Sequence, residues 1–264
     1  MSATFVRRAR PLLGTLVELG ARAPGTLSPA EAARWAEPLF SAAWAAVAAV
    51  ERACSAFDPG SDVARFNAAP AGAVLDLSPE SAAALRLARS LWHATGGLVD
   101  VTLGSGPRDW TCAREGGATR LHKLTAAVRL DLGGVAKGQA VDRAFEALAA
   151  AQRRSAGEVA CWVNAGGDLR VEGVALPVHL RDEDAGGARP WLVLEHGAVA
   201  TSDFGPAARS RLSGAATRAA RVSVTAPRCA WSDALTKVAA LLGGPDEALF
   251  HRLGATAFVH GRGA

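Results

Sequence analysis

Asp131-Leu-Gly-Gly-Val-Ala-Lys-Gly138 follows the short apolar run Val128-Arg-Leu130 and leads into a stretch apolar at Ala140, Val141, Ala144, Phe145 and Leu148. The whole reads as a short strand over 128–131, a two-glycine turn and an amphipathic helix from Ala136 to about Gln152. Amides left unpaired at the start of such a helix can face an anion, and Lys137 adds a point charge. A plain strand-to-helix turn fits the same residues. The spacing is neither G-x-x-x-x-G-K-[ST] nor G-x-G-x-x-G, so the motif alone does not choose between them.

Lysine is scarce elsewhere. Among 29 Lys and Arg residues, the lysines are Lys123, Lys137 and Lys237. The last lies in Ser232-Asp-Ala-Leu-Thr-Lys237, where Asp233 and Lys237 share one face of a helix, one turn apart. That spacing suits an ordinary i,i+4 ion pair, and it also suits a carboxylate poised to hold a metal. Asn164-Ala-Gly-Gly-Asp168 supplies a second glycine pair, for close approach by a ligand or for a tight turn capped by Asp168. Asp100, at the end of Gly96-Gly-Leu-Val-Asp100, is on its own no more than a loop carboxylate.

Around these segments the chain alternates helices and short strands. Ser28 caps a helix over Pro29–Ala53, with Trp35, Leu39, Phe40, Trp44, Val47 and Val50 at core spacing. Ser61 starts a short helix, and Ser78-Pro79 opens another reaching His93. Strands are expected over 12–19, within 95–104, over 159–164 and 169–173, near 176–181, 191–195 and 198–201, and over 221–225 and 255–260. Residues 104–120 read as a surface excursion, Thr201 to Gly205 as a turn, and 233–242 as a helix stopped by Gly243-Gly-Pro245. Short strands mixed with separate helices make the fold class α+β, in one domain over 1–264.

Bulk properties narrow the function. With 50% hydrophobic and 20% charged residues the chain is a globular one. A net charge of +4 with scattered arginines suits an anionic small ligand better than nucleic acid. Cys54, Cys112, Cys161 and Cys229 form no C-x-x-C pair, and the six histidines fall in no metal-binding spacing. No apolar run has the ~18 residues a membrane helix requires. Arg7-Arg8-Ala-Arg10 before Pro11–Val17 faintly imitates a signal peptide, but Glu18 interrupts it. The expectation is therefore a cytoplasmic protein as given, or a periplasmic one if the true start lies upstream.

The order of these pieces resembles the ApbE-like flavin transferase family, the FAD:protein FMN transferases. The resemblance is carried by Leu13-Gly-Thr15; Ser55-Ala-Phe57 with Ser61–Asn67; Thr95–Thr102; Asp131–Asp142; Val163–Asp168; Val199–Ser202; and Val222–Ala226 with Ser232–Leu235. It implies an α+β fold that binds FAD in a cleft, and an activity that cuts the FAD diphosphate with Mg²⁺ and attaches FMN to a threonine of a partner redox protein. By position, Leu13, Phe57, Leu98, Val99 and Asp100 would line the flavin or adenine site. Asp131 and Lys137 would contact FAD. The metal would be held by the Gly134 carbonyl and by Asp233, and Asp233 and Lys237 would stand at the catalytic centre.

Two departures from the family pattern bear on activity. The family's metal-binding threonine corresponds to Lys237, and an ammonium has donors but no acceptor for a metal. It either repels a metal beside Asp233 or replaces it as a fixed positive charge against phosphate. The family's His-x-x-Asp-Pro-x-x-Gly stretch corresponds to Ser213–Arg221, which holds neither histidine nor Asp-Pro. The alternative function is a homologue that binds flavin without transfer, as an accessory in redox-protein maturation.

Overall fold

The computed structural model describes residues 4–181, 186–204 and 217–260. Its elements in chain order are β1 (Phe5–Leu12), β2 (Thr15–Arg22), α1 (Pro29–Cys54), α2 (Asp62–Ala68), β3 (Val74–Asp76), α3 (Pro79–Ala94), β4 (Trp110–Glu115), β5 (Ala118–Lys123), α4 (Ala136–Ala156), β6 (Cys161–Ala165), β7 (Asp168–Arg181), β8 (Ala188–Asp203), β9 (Arg221–Ala226), α5 (Cys229–Leu242), α6 (Glu247–Arg252) and β10 (Thr256–His260). The α+β class read from the sequence holds.

A seven-stranded sheet has the order β1-β2-β6-β7-β8-β9-β10, and a three-stranded sheet has the order β3-β5-β4. Every pairing is antiparallel. Alternation along the strands gives the large sheet two buried faces. Cys161, Val163 and Ala165 of β6 join Val17, Leu19 and Ala21 of β2 beneath α1 and α4. Trp162 points the other way, into a cluster with Leu169, Val171, Val174 and Val199. Gly20 is obligatory there, because a β-carbon on it would lie 2.0 Å from the Trp162 ring. The third cluster gathers α2, α3, the small sheet, α5 and α6 around Phe66, Leu85, Leu130, Leu235 and Phe250.

The helices form where local chemistry starts and stops them. Ser28 and Glu31 make a reciprocal capping box at the head of α1. Ser61 and Ser78 cap α2 and α3 through their hydroxyls. Gly157 and Gly243 end α4 and α5 in left-handed conformations. Trp35, expected in the α1 core face, is only half-buried and donates its indole N–H to Ser155 Oγ at 3.2 Å.

Several local expectations are corrected. The strand expected over 12–19 is a hairpin whose two-residue turn, Leu13-Gly14, has φ of 57° and 67°. Two positive φ values match the right-handed strand twist, so the chain reverses there. The arginines that imitated a signal peptide lie on β1. Residues 95–104 contain turns and no strand, while 104–120 contains most of the β4–β5 hairpin. The expected strand at 128–131 joins neither sheet; it buries Val128 and Leu130, and the Asp131 amide donates to Val101 O at 2.7 Å. Strands expected separately near 191–195 and 198–201 are one continuous β8. Gly205 and the Ser213–Ala216 part of the segment matched to the family histidine motif lie outside the described residues.

Candidate functional site

The site is assembled where α4 crosses α5. A β-carbon on Gly138 would lie 2.5 Å from Cys229 O and 2.8 Å from Asp233 Cβ, so only glycine lets the two helices approach this closely. One turn along α4, the buried Asp142 accepts the Cys229 and Ala230 amides at 2.9 and 3.0 Å and pairs with Arg170 at 2.7 Å. Arg228, at the N-cap of α5, gives no side-chain cap bond, so Asp142 caps α5 from the neighbouring helix. This register sets Asp233 and Lys237 beside Lys137.

The result is a cleft of about 1150 Å³. Leu13, Phe57, Leu98, Val99, Asp100, Asp131, Gly134, Lys137, Asp233 and Lys237 all line it. These residues come from segments scattered over most of the chain, so their meeting at one cavity is a property of the fold. Leu13 is held at its positive φ by an N–H bond to Glu51 Oε1 at 2.8 Å. Phe57 stands at the cleft with 96% of its surface exposed. Asp100 is half-buried and organised: it accepts the Thr102 amide at 2.8 Å and the Gly104 amide at 3.0 Å.

Four of the amides at the start of α4 are already taken, which narrows the anion site expected from the sequence. Gly133 N–H donates to Asp131 Oδ1 at 2.7 Å, and the Val135 and Ala136 amides turn back onto Leu132 O. Gly138 N–H donates to Asp233 Oδ2 at 3.0 Å. Positive charge reaches the cleft on Lys137 and Lys237, and on Arg181 and Arg221. Lys237 Nζ donates to the Asp233 backbone oxygen at 2.9 Å and pairs with Asp233 Oδ1. Lys137 Nζ pairs with Asp168 Oδ2, and neither Asp168 oxygen receives a regular hydrogen bond.

Asp168 is fully buried. Burial pushes its carboxyl up to about 6, the Asp233 charge adds to this, and Lys137 and Lys237 oppose it. Burial pulls the Lys137 ammonium down, but the Asp168 and Asp233 charges outweigh it and leave its pKa above the ordinary lysine value. At neutral pH the pair is ionised. Cys229, next to these carboxylates, is pushed well above the ordinary thiol range by burial first and their charges second.

A divalent metal does not fit between Gly134 and Asp233. Both Asp233 carboxylate oxygens already have donors, and a β-carbon on Gly134 would lie 3.5 Å from Lys237 Cε. A dication about 3 Å from the ammonium would be repelled by about 10 kcal/mol at an effective dielectric constant of ~20. Mg²⁺ also demands six oxygens in a near-ideal octahedron. Among the described residues no group of three or more His, Cys, Asp or Glu side chains could hold a metal.

Several lining residues were not singled out from the sequence. His179 and Arg181 arrive on β7, Asp203 on β8 and Arg221 on β9. Only the antiparallel register of the large sheet carries them there, and their own neighbours in sequence give no local signal.

Fold and site define an α+β protein with a nucleotide-sized cleft lined by two lysines, each paired with an aspartate. The profile of the ApbE family matches residues 13–204, and the chain belongs to that family. Its fold is similar to that of the Pseudomonas stutzeri flavinyl transferase ApbE in its apo form, at 20% identity over 100% of this chain and 93% of that one, with a TM-score of 0.74. The flavin transferase ApbE from Vibrio cholerae matches at 19% identity over 98% and 94% of the chains, TM-score 0.74. An ApbE protein from Thermotoga maritima matches at 18% identity over 97% and 94%, TM-score 0.77. No curated protein sequence matches the chain.

Proposed function

We propose that this chain is an FAD:protein FMN transferase that moves FMN from FAD onto a threonine of a partner redox protein. The observation that carries this reading is the convergence of the separate family-matched segments on one cleft. Its size is that of cofactor sites, which run to about 1,000 Å³. Leu13, Phe57, Leu98 and Val99 offer apolar surface to a planar ring, with Asp100 beside them. Asp131, Lys137 and Lys237 lie at the charged part, where a diphosphate belongs.

The chemistry asks little of this chain beyond positioning and charge. The acceptor's threonine oxygen forms a bond to the phosphorus of the FMN half. The bond between that phosphorus and the bridging oxygen breaks, and AMP leaves with that oxygen. The hydroxyl proton passes to water or to a carboxylate. Negative charge grows on the bridging oxygen as it leaves, and fixed ammonium groups facing it stabilise that change. Removal of Lys137 should therefore lower the rate by more than it lowers affinity.

The test is incubation of the full chain with FAD and an acceptor domain bearing a threonine target, followed by mass spectrometry of the acceptor. A mass increase equal to FMN minus water, together with released AMP, is expected. FAD bound but unconsumed, with no mass change, would replace this reading with that of a flavin-binding protein.

A further inference from the structure

We propose that Lys137 and Lys237 form a metal-free clamp for a nucleotide diphosphate. The proposal rests on the reading of the cleft as an FAD site and deepens it.

An ammonium has three N–H bonds. Lys237 spends two on Asp233, one on its backbone oxygen and one on its carboxylate, and keeps one for a ligand. Lys137 turns at most one toward Asp168 and keeps at least two. At least three charged donors are thus left for an anion. Their orientation is fixed by what lies behind them. Asp168 and Asp233 are buried, at 0% and 1% exposure, and each fixes one of the two lysines that line the cleft. Each lysine is already paired with an aspartate, so a dinucleotide's diphosphate bridge is met by the remaining N–H donors of the two ammonium groups and not by a net positive charge.

The walls are shaped for the same occupant. Gly133, Gly134, Gly166 and Gly167 all line the cleft. Backbone without side chains lets two linked tetrahedral phosphates, each singly charged, approach both ammonium groups. Lys237 also fills the space where a metal would bridge Gly134 and Asp233, so the diphosphate meets an amine there. An ammonium supplies charge without coordination geometry, and binding through it requires no divalent ion.

The probes are FAD and ADP, with affinity for the full chain measured by calorimetry in EDTA and in excess Mg²⁺. Affinity is expected to agree within about twofold between the two conditions. Lys237→Ala should weaken ADP by about tenfold or more, a loss of about 1.4 kcal/mol per decade. Because that variant leaves Asp233 buried without its cation, the neutral pair Asp233→Asn/Lys237→Met is the second variant. It keeps an acceptor for Gly138 N–H and should fold while losing ADP affinity to the same extent. Lys237→Thr should bind ADP more tightly on addition of Mg²⁺. EDTA weakening binding tenfold in the natural chain would overturn the clamp, as would full ADP affinity in the neutral pair. Metal-free ADP binding that needs Lys237, with no FAD binding, would keep the clamp and sink the FAD reading. Binding of neither probe would end the clamp.

Discussion

Replacing Asp142 with alanine should loosen the start of α5 and, through it, the cleft. Asp142 is buried on α4 and accepts the Cys229 and Ala230 amides at 2.9 and 3.0 Å. In Asp142→Ala both amides stay buried without an acceptor. Each such group costs about 1–3 kcal/mol, giving about 4 kcal/mol for the two. Arg170 loses its 2.7 Å partner, but Glu146 lies 3.7 Å away and tempers that loss. A chain of this size shifts its melting temperature by about 2–4 °C per kcal/mol, so the variant should melt about 10 °C lower. Asp142→Asn keeps one acceptor oxygen and should lose about half as much. Differential scanning calorimetry at neutral pH reads both values. A melting temperature for Asp142→Ala within about 2 °C of the natural chain would refute the view that α5 is capped from α4.

Gly138→Ala should destabilise by about 2 kcal/mol, since strain against Cys229 O and Asp233 Cβ outweighs the roughly 1 kcal/mol helix preference of alanine; urea titration measures it. Phe57→Ala should leave the melting temperature unchanged, because the ring is exposed, yet weaken FAD by about 1 kcal/mol, roughly fivefold by fluorescence titration. Cys54 and Cys161 are buried and their thiols pushed up by burial to about 11 and about 12; Cys229 is buried and its thiol is also pushed well above the ordinary range. Thiolate is the reactive form, so a thiol-disulfide dye at pH 8 should label only half-buried Cys112 in the folded chain and all four cysteines in urea. Rapid labelling of more than one thiol in the native protein would contradict the packing described.

Much of the architecture was readable because its causes are local. Serine caps at 28, 61 and 78 and the glycine stop at 243 act within a turn or two of chain, so these helix ends followed from short windows, whereas α4 runs past the expected Gln152 to the Gly157 stop. The hairpin at Leu13-Gly14 was misread because leucine rarely takes positive φ, and the contact that holds it comes from Glu51 on a distant helix. The small sheet was missed for a similar reason: β3 is three residues long and becomes a strand only by pairing with β5. At the site, the ion pair of Asp233 with Lys237 was legible from i,i+4 spacing. The pair of Lys137 with Asp168 was not, because it joins two elements 31 positions apart in the numbering. Of the amides of the α4 turn that looked available from the sequence, those of Gly133, Val135, Ala136 and Gly138 are taken by Asp131, Leu132 O and Asp233.

A crystal structure of the full chain grown with saturating FAD and EDTA tests the central claim most directly. It should show the diphosphate bridge within about 3 Å of both Lys137 Nζ and Lys237 Nζ, the normal reach of a charged hydrogen bond, with the flavin or adenine ring against Phe57 and Leu13. A cleft without nucleotide at saturating FAD, or a diphosphate bound away from both amines, would contradict the account.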